Sequence, residues 1–182
     1  MLKIDYTIPA TEYYDEIAEE FVTFDSRSIH VSLEHSLVAI SKWEAKYHKP
    51  FLSNDEKSPE ETLDYICMMD PSESLTIPDL HRLPVKIMQK IQNYIQDPMT
   101  ATTFSSNRQS GREILTSEVI YYDMIAAQIP FECQYWHLNR LLTLLRVCSI
   151  KNGPQKKMSK SEILARNRAL NAQRRAKMHT KG

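Results

Sequence analysis

Glycine is nearly missing: three residues in 182, against the roughly 7% usual for proteins. That scarcity disfavours an all-β fold with many tight turns and a Gly-rich phosphate cradle, and it favours helices. No stretch reaches 18 apolar residues, so no membrane-spanning helix is expected. The opening "MLKIDYTIPATEYYDEIAEE" lacks a basic region and an apolar core, so it does not read as a signal peptide. Cysteine is sparse and odd in number: Cys67, Cys133 and Cys148 each fall in an apolar helical pattern. A cytosolic chain with free thiols is expected. Net charge is also absent, but only as a total. Residues 151–182 carry ten Lys or Arg and one acid, whereas residues 1–150 carry thirteen bases and twenty-two acids. An acidic body and a basic tail flag an interaction segment.

Periodicity supplies the elements. "LKIDYTI" alternates Leu2, Ile4, Tyr6 and Ile8 with polar residues, "IHVSLE" does the same with Ile29, Val31 and Leu33, and "EEFVTF" is a weaker strand. Thereafter the period becomes helical. Leu37, Ile40, Trp43 and Tyr47 share a face that stops at Pro50. "SPEETLDYICMM" starts with Ser58 as N-cap, Pro59 in the first turn and Glu61 closing a capping box. Ile87, Met88, Ile91, Tyr94 and Ile95 make the next stripe. "SGREILTSEVIYYDMIAAQIP" carries a second box, Ser110 with Glu113, and "ECQYWHLNRLLTLLRVCSI" offers Leu138, Leu141, Leu142, Leu145 and Ile150 to the core. "NGPQKK" reads as a hinge. Beyond it Ser159 and Glu162 form a third box, and Ala165, Ala169, Ala172 and Ala176 recur on one face that Met158 extends. The expected fold is α+β, mostly α. Strands in 1–34 form a small N-terminal antiparallel sheet packed on a helical body, a bundle at 35–150, and 151–182 is the hinged basic C-terminal helix.

Chemistry-bearing constellations are thin. Cys133 and His137 have a spacing that puts two metal ligands on one helix face, but the histidines at 30, 35, 48, 81 and 179 provide no matching pair, and zinc needs three or four ligands. No metal or cofactor is expected, and the pair reads as a partly buried thiol beside a rim histidine. The carboxylates of "EYYDEIAEE" and the Glu60/Glu61 pair read as exposed charge and helix-start acids rather than a desolvated acid–base couple. No nucleophile elbow, P-loop or dinucleotide turn is present. An enzyme is therefore not expected. Trp43 and Trp136 read first as core, because the leucines after Trp136 already define a buried face, and second as a partner groove. In the tail, Arg166, Arg168, Arg174, Arg175 and Lys177 scatter around the alanine stripe. Phosphate neutralisation would be salt-sensitive and sequence-neutral, but the cations make no single stripe and no aromatic is there to stack a base. Candidate partner-binding residues are thus Ala165, Ala169, Ala172 and Ala176, with Arg166, Arg174 and Arg175, and the two tryptophans. A helix docking on a protein partner, including a second copy, is preferred to a merely solvated tail, and both to nucleic acid.

Four segments together, "LEHSLVAISKWEAKYHKPFL", "EETLDYICMM", "REILTSEVIYYDMIAAQIPFECQYWHLNRLLTLLRVC" and "KKMSKSEILARNRALNAQRRAK", resemble the tail assembly chaperones of long-tailed bacteriophages. The likeness runs from about Ser32 to the C-terminus and contains no catalytic signature or residue-level binding motif. It implies a non-catalytic protein of the host cell cytoplasm that holds the helical, aggregation-prone tape measure protein in solution while tail tube proteins polymerise, and that is absent from the mature virion. Two alternatives stand beside it: a nucleic-acid-associated phage protein using the basic tail, and a structural tail-completion protein.

Overall fold

The alternating segments pair into two antiparallel ladders: β1 (Leu2–Ile8) with β4 (Arg27–Leu33), and β2 (Thr11–Asp15) with β3 (Glu20–Phe24). Leu2 faces Leu33, Ile8 faces Arg27, Thr11 faces Phe24 and Asp15 faces Glu20. The partner numbers add to one total throughout, so the two ladders are halves of a single long hairpin with no slip of register. The break falls where Pro9 has no N–H to give the ladder. There the Arg82 guanidinium donates to the carbonyls of Pro9 (2.7 Å) and Asp25 (3.0 Å), one on each strand. A side chain thus bridges the gap that the backbone leaves.

The computed structural model describes residues 1–17, 19–104, 114–153 and 160–178. Its compact units are Met1–Ser149 and Ile150–Gly182. The first unit continues with α1 (Leu37–Tyr47), α2 (Pro59–Met68), α3 (Ile77–His81), α4 (Val85–Gln96), α5 (Ser117–Ala126), a 3-10 helix (Phe131–Tyr135) and α6 (Leu138–Asn152), whose last turn contains the division. The second holds α7 (Lys160–Met178). With 53% of residues helical, the fold is α+β and mostly α, as the periodicity implied.

The inner ladder supplies one face of the core through Ile4, Ile8, Ile29, Val31 and Leu33. Against it lie Leu37, Ile40 and Trp43 of α1, Tyr65 and Ile66 of α2, Ile91 of α4, Ile120 and Met124 of α5, and Leu138 and Leu141 of α6. Caps set the helix starts. Ser58 accepts from the Glu61 amide at 3.1 Å while Glu61 accepts from the Ser58 amide at 2.9 Å, the capping box read from the sequence. α3 begins similarly, Asp79 accepting from the Thr76 amide (3.0 Å) and hydroxyl (2.5 Å), though its five residues escape a periodicity test.

Three expectations need correction. The helix expected from Ser110 starts, among the described residues, only at Ser117: Thr116 caps it, and the buried carboxylate of Glu44 accepts from the Ser117 amide at 2.7 Å. The Ser110/Glu113 box lies outside the described residues, as do Met158, Ser159 and most of "NGPQKK". The "ECQYWHLNRLL" helix is two: a 3-10 turn ends at Trp136, which is extended, and α6 restarts at Leu138, whose amide donates to the His35 carbonyl at 2.8 Å. Along α6 burial fades: Leu138 and Leu141 are fully enclosed, Leu142 and Leu145 half-buried, and Ile150 is 61% exposed. An apolar stripe shows which face turns inward, but not how far the neighbours reach.

Candidate protein-binding surfaces

α7 presents every described side chain to solvent. The spacing of Ala165, Ala169, Ala172 and Ala176 places them on one face, and at 3.6 residues per turn Arg168 and Arg175 flank it on one side, whereas Arg166 and Lys177 lie about a quarter turn or more away and Arg174 lies opposite. The cations are therefore scattered around the helix, as the sequence reads, with Arg168 and Arg175 beside the seam. Ile163, Leu164, Leu170 and Met178 are exposed as well. Apolar surface on this helix is thus wider than alanine alone.

The tryptophans separate. Trp43 is fully enclosed, its indole N–H donating to the Glu61 carbonyl at 2.9 Å and its ring packed on Tyr47 and Phe51. It offers a partner no surface, which corrects its place among the binding candidates: the face it shares with Leu37 and Ile40 is needed to close the core. Trp136 is half-buried and carries the Arg140 guanidinium 4.2 Å from its ring centroid. Near Trp43, Lys46 binds Asp64 (2.7 Å) and Lys49 binds Glu61 (2.5 Å). The Lys49 contact, then the Ser58 amide, hold the Glu61 carboxyl below its ordinary range. These acids anchor α1 and its following loop to α2.

A groove of about 450 Å³ opens between α2 and α4. Ile66, Val85, Met88, Ile91 and Ile95 give it an apolar floor and sides; Thr62, Gln89 and Gln92 rim it. α4 makes this possible because its stripe is wider than its core contact: Ile91 and Tyr94 are buried, Ile87, Met88 and Ile95 only partly, and Val85 is 81% exposed.

The outer half of the hairpin is an arm. Tyr14 and Phe21 oppose each other on one face with ring centroids 5.0 Å apart, and Tyr13 stacks diagonally on Phe24 at 5.7 Å on the other. All four are exposed, Phe21 at 68%. The acidic cluster "EYYDEIAEE" hides this strand from a sequence reading, since its tyrosines are adjacent rather than alternate.

A second feature was not legible. His35 and His137, distant in sequence, meet edge to face in the interior with ring centroids 4.9 Å apart. The His35 Nδ1 lies 2.5 Å from the Tyr65 hydroxyl, and His137 donates through Nε2 to the Tyr94 carbonyl at 2.9 Å, leaving a buried Nδ1 without a partner. Burial, then the neighbouring His137, depresses His35 to about 3, and burial lowers His137 too, partly opposed by its bond to Tyr94. Both rings are neutral inside the core. His137 is therefore an interior residue, correcting the rim assignment, because α6 starts at the point where the ring turns inward. Cys133 is buried nearby and its thiol is raised by that burial. Among the described residues no three His, Cys, Asp or Glu gather to hold a metal ion.

Comparison with protein-family models, with curated proteins and with solved structures finds no match to the chain. Function must be argued from these surfaces.

Proposed function

We propose that this chain is a non-catalytic tail assembly chaperone that binds the tape measure protein of a long-tailed phage in the host cytoplasm, supports growth of the tail tube and leaves before the virion matures. The observation that carries this reading is the open apolar groove between α2 and α4. Its breadth and its Gln/Thr rim suit an amphipathic client helix laid in by its apolar face, with anchors at helical spacing. An apolar groove with few charges binds through surface burial, which tolerates salt and varied client sequence. Those are the properties needed to hold a long helical protein at many points. The resemblance of four segments to that chaperone family adds to it.

The test is co-expression with the tape measure protein encoded in the same genome. A soluble complex that persists at high salt, and that Val85→Glu with Met88→Glu disrupts without lowering the melting temperature, is expected. A client equally soluble with the double variant, or no complex at all, sinks the reading. Tight, salt-sensitive binding of duplex DNA by the full chain would promote the nucleic-acid alternative, which the six Lys and Arg of α7 favour.

A further inference from the structure

The arm and α7 are opposites in charge as well as shape. Between Pro9 and Ser26 there are six Asp or Glu and no Lys, Arg or His; α7 has six Lys or Arg and one acid. The arm displays an aromatic pair on each face, and an isolated two-stranded ribbon is marginal in water. α7, on its side, carries a seam of four alanines flanked on one side by Arg168 and Arg175, and its described side chains are exposed. We propose that the arm is a docking site for α7 of a second copy of this chain, and that two copies exchange the contact reciprocally.

The fit follows from the side chains. Alanines let a helix backbone come close to a partner, and the Tyr14–Phe21 pair, its rings tilted 59° to each other, is exposed to receive it. With the seam seated there, Arg168 and Arg175 flank one side of it, and the ribbon offers Glu12 on the face of Tyr14 and Phe21 and Glu16 and Glu19 in its turn. Charge steers the approach and sets polarity, while burial of the rings holds the contact. Exchange between copies is favoured because both surfaces belong to one sequence, so a two-fold axis makes each contact twice. One helix on one ribbon falls short of the roughly 1,200–2,000 Å² that stable interfaces bury, and a reciprocal pair doubles it.

The experiment uses the full chain in sedimentation equilibrium over a wide concentration range. Wild type should sediment at twice the 21.2 kDa chain mass. The arm variant Tyr14→Ser/Phe21→Ser and the tail variant Ala169→Glu/Ala172→Glu should each associate at least tenfold more weakly. Both should keep the wild-type far-ultraviolet spectrum and, at dilutions where wild type is monomeric, its melting temperature. Mixed together they should form a heterodimer weaker than wild type but tighter than either variant alone, since one of the two reciprocal contacts is restored. Half-molar salt should weaken wild-type association several-fold without abolishing it. Wild type monomeric at every concentration, which includes docking of α7 on its own arm, would overturn the proposal. So would an arm variant that dimerises like wild type, or a mixture with no recovery.

Discussion

The two halves of the N-terminal hairpin obey one register and differ in almost everything else. The inner half, β1 with β4, has a dry face and a wet one: Ile4, Ile29, Val31 and Leu33 are enclosed, while Asp5 with His30 and Thr7 with Ser28 pair in solvent. The outer half, β2 with β3, has aromatic rings on both faces and encloses none of them. Backbone hydrogen bonding is the same in both. What separates a structural ribbon from an interaction surface is whether helices cover a face, because burial of side chains and not the ladder itself supplies most of the stability.

Substitution should expose that difference most sharply. Ile29→Ala should destabilise the body by about 2–5 kcal/mol, the usual range for emptying an enclosed site, whereas Phe21→Ala should stay within about 0.5 kcal/mol, as exposed positions do. Chemical denaturation of the two variants checks the pair, and equal losses would mean that the arm is part of the core.

Acid should act on the core behind the inner half. His35 follows β4 closely, and its folded-state value of about 3 lies below the ordinary 6.5. The unfolded chain therefore takes up a proton that the native state refuses. Stability from the neutral ring is complete above about pH 6.5 and is lost as pH falls toward 3, by a few kcal/mol at most. Asp70 adds a later loss. Burial raises its carboxyl, but bonds from Ser72 and Ser74 outweigh that and hold it below its usual range. Its contribution therefore disappears as pH drops through the carboxylate range. His35→Gln should flatten the upper part of a stability–pH curve, and an unchanged slope there would remove His35 as its source.

A smaller effect is expected at the joint. Arg82→Ala removes both bridging bonds and should cost about 1–3 kcal/mol, with faster amide hydrogen exchange at Thr11–Asp15 and Glu20–Phe24 than in Leu2–Ile8. Uniform change along the hairpin would show that Arg82 does not separate its halves. Smallest of all, Asp5→Asn breaks the exposed Asp5–His30 pair (2.9 Å) on the wet face and should shift stability by less than about 1 kcal/mol.

Legibility tracked how local each determinant is. Ser58 with Glu61 could be read because a cap needs only residues three apart, and β1 and β4 because one buried face imposes alternation. β2 was missed because a strand covered on neither face has no alternation to show. Leu142 looked equivalent to Leu141 on the α6 stripe, yet only Leu141 is enclosed. The groove between α2 and α4 was not legible either, since no single helix contains it.

By itself the sequence determined the helical bias through its scarce glycine, the capped helix starts, the inner strands and the opposed charge of body and tail. These depend on neighbours along the chain, within a turn or a strand repeat. Only the tertiary structure decided that Trp43 is core, that His35 and His137 meet as neutral rings, that Arg82 spans the broken ladder and that Tyr14 and Phe21 stay uncovered. Each of those depends on which surfaces, distant in the chain, come to exclude water from one another, and burial is a property of that packing rather than of any residue.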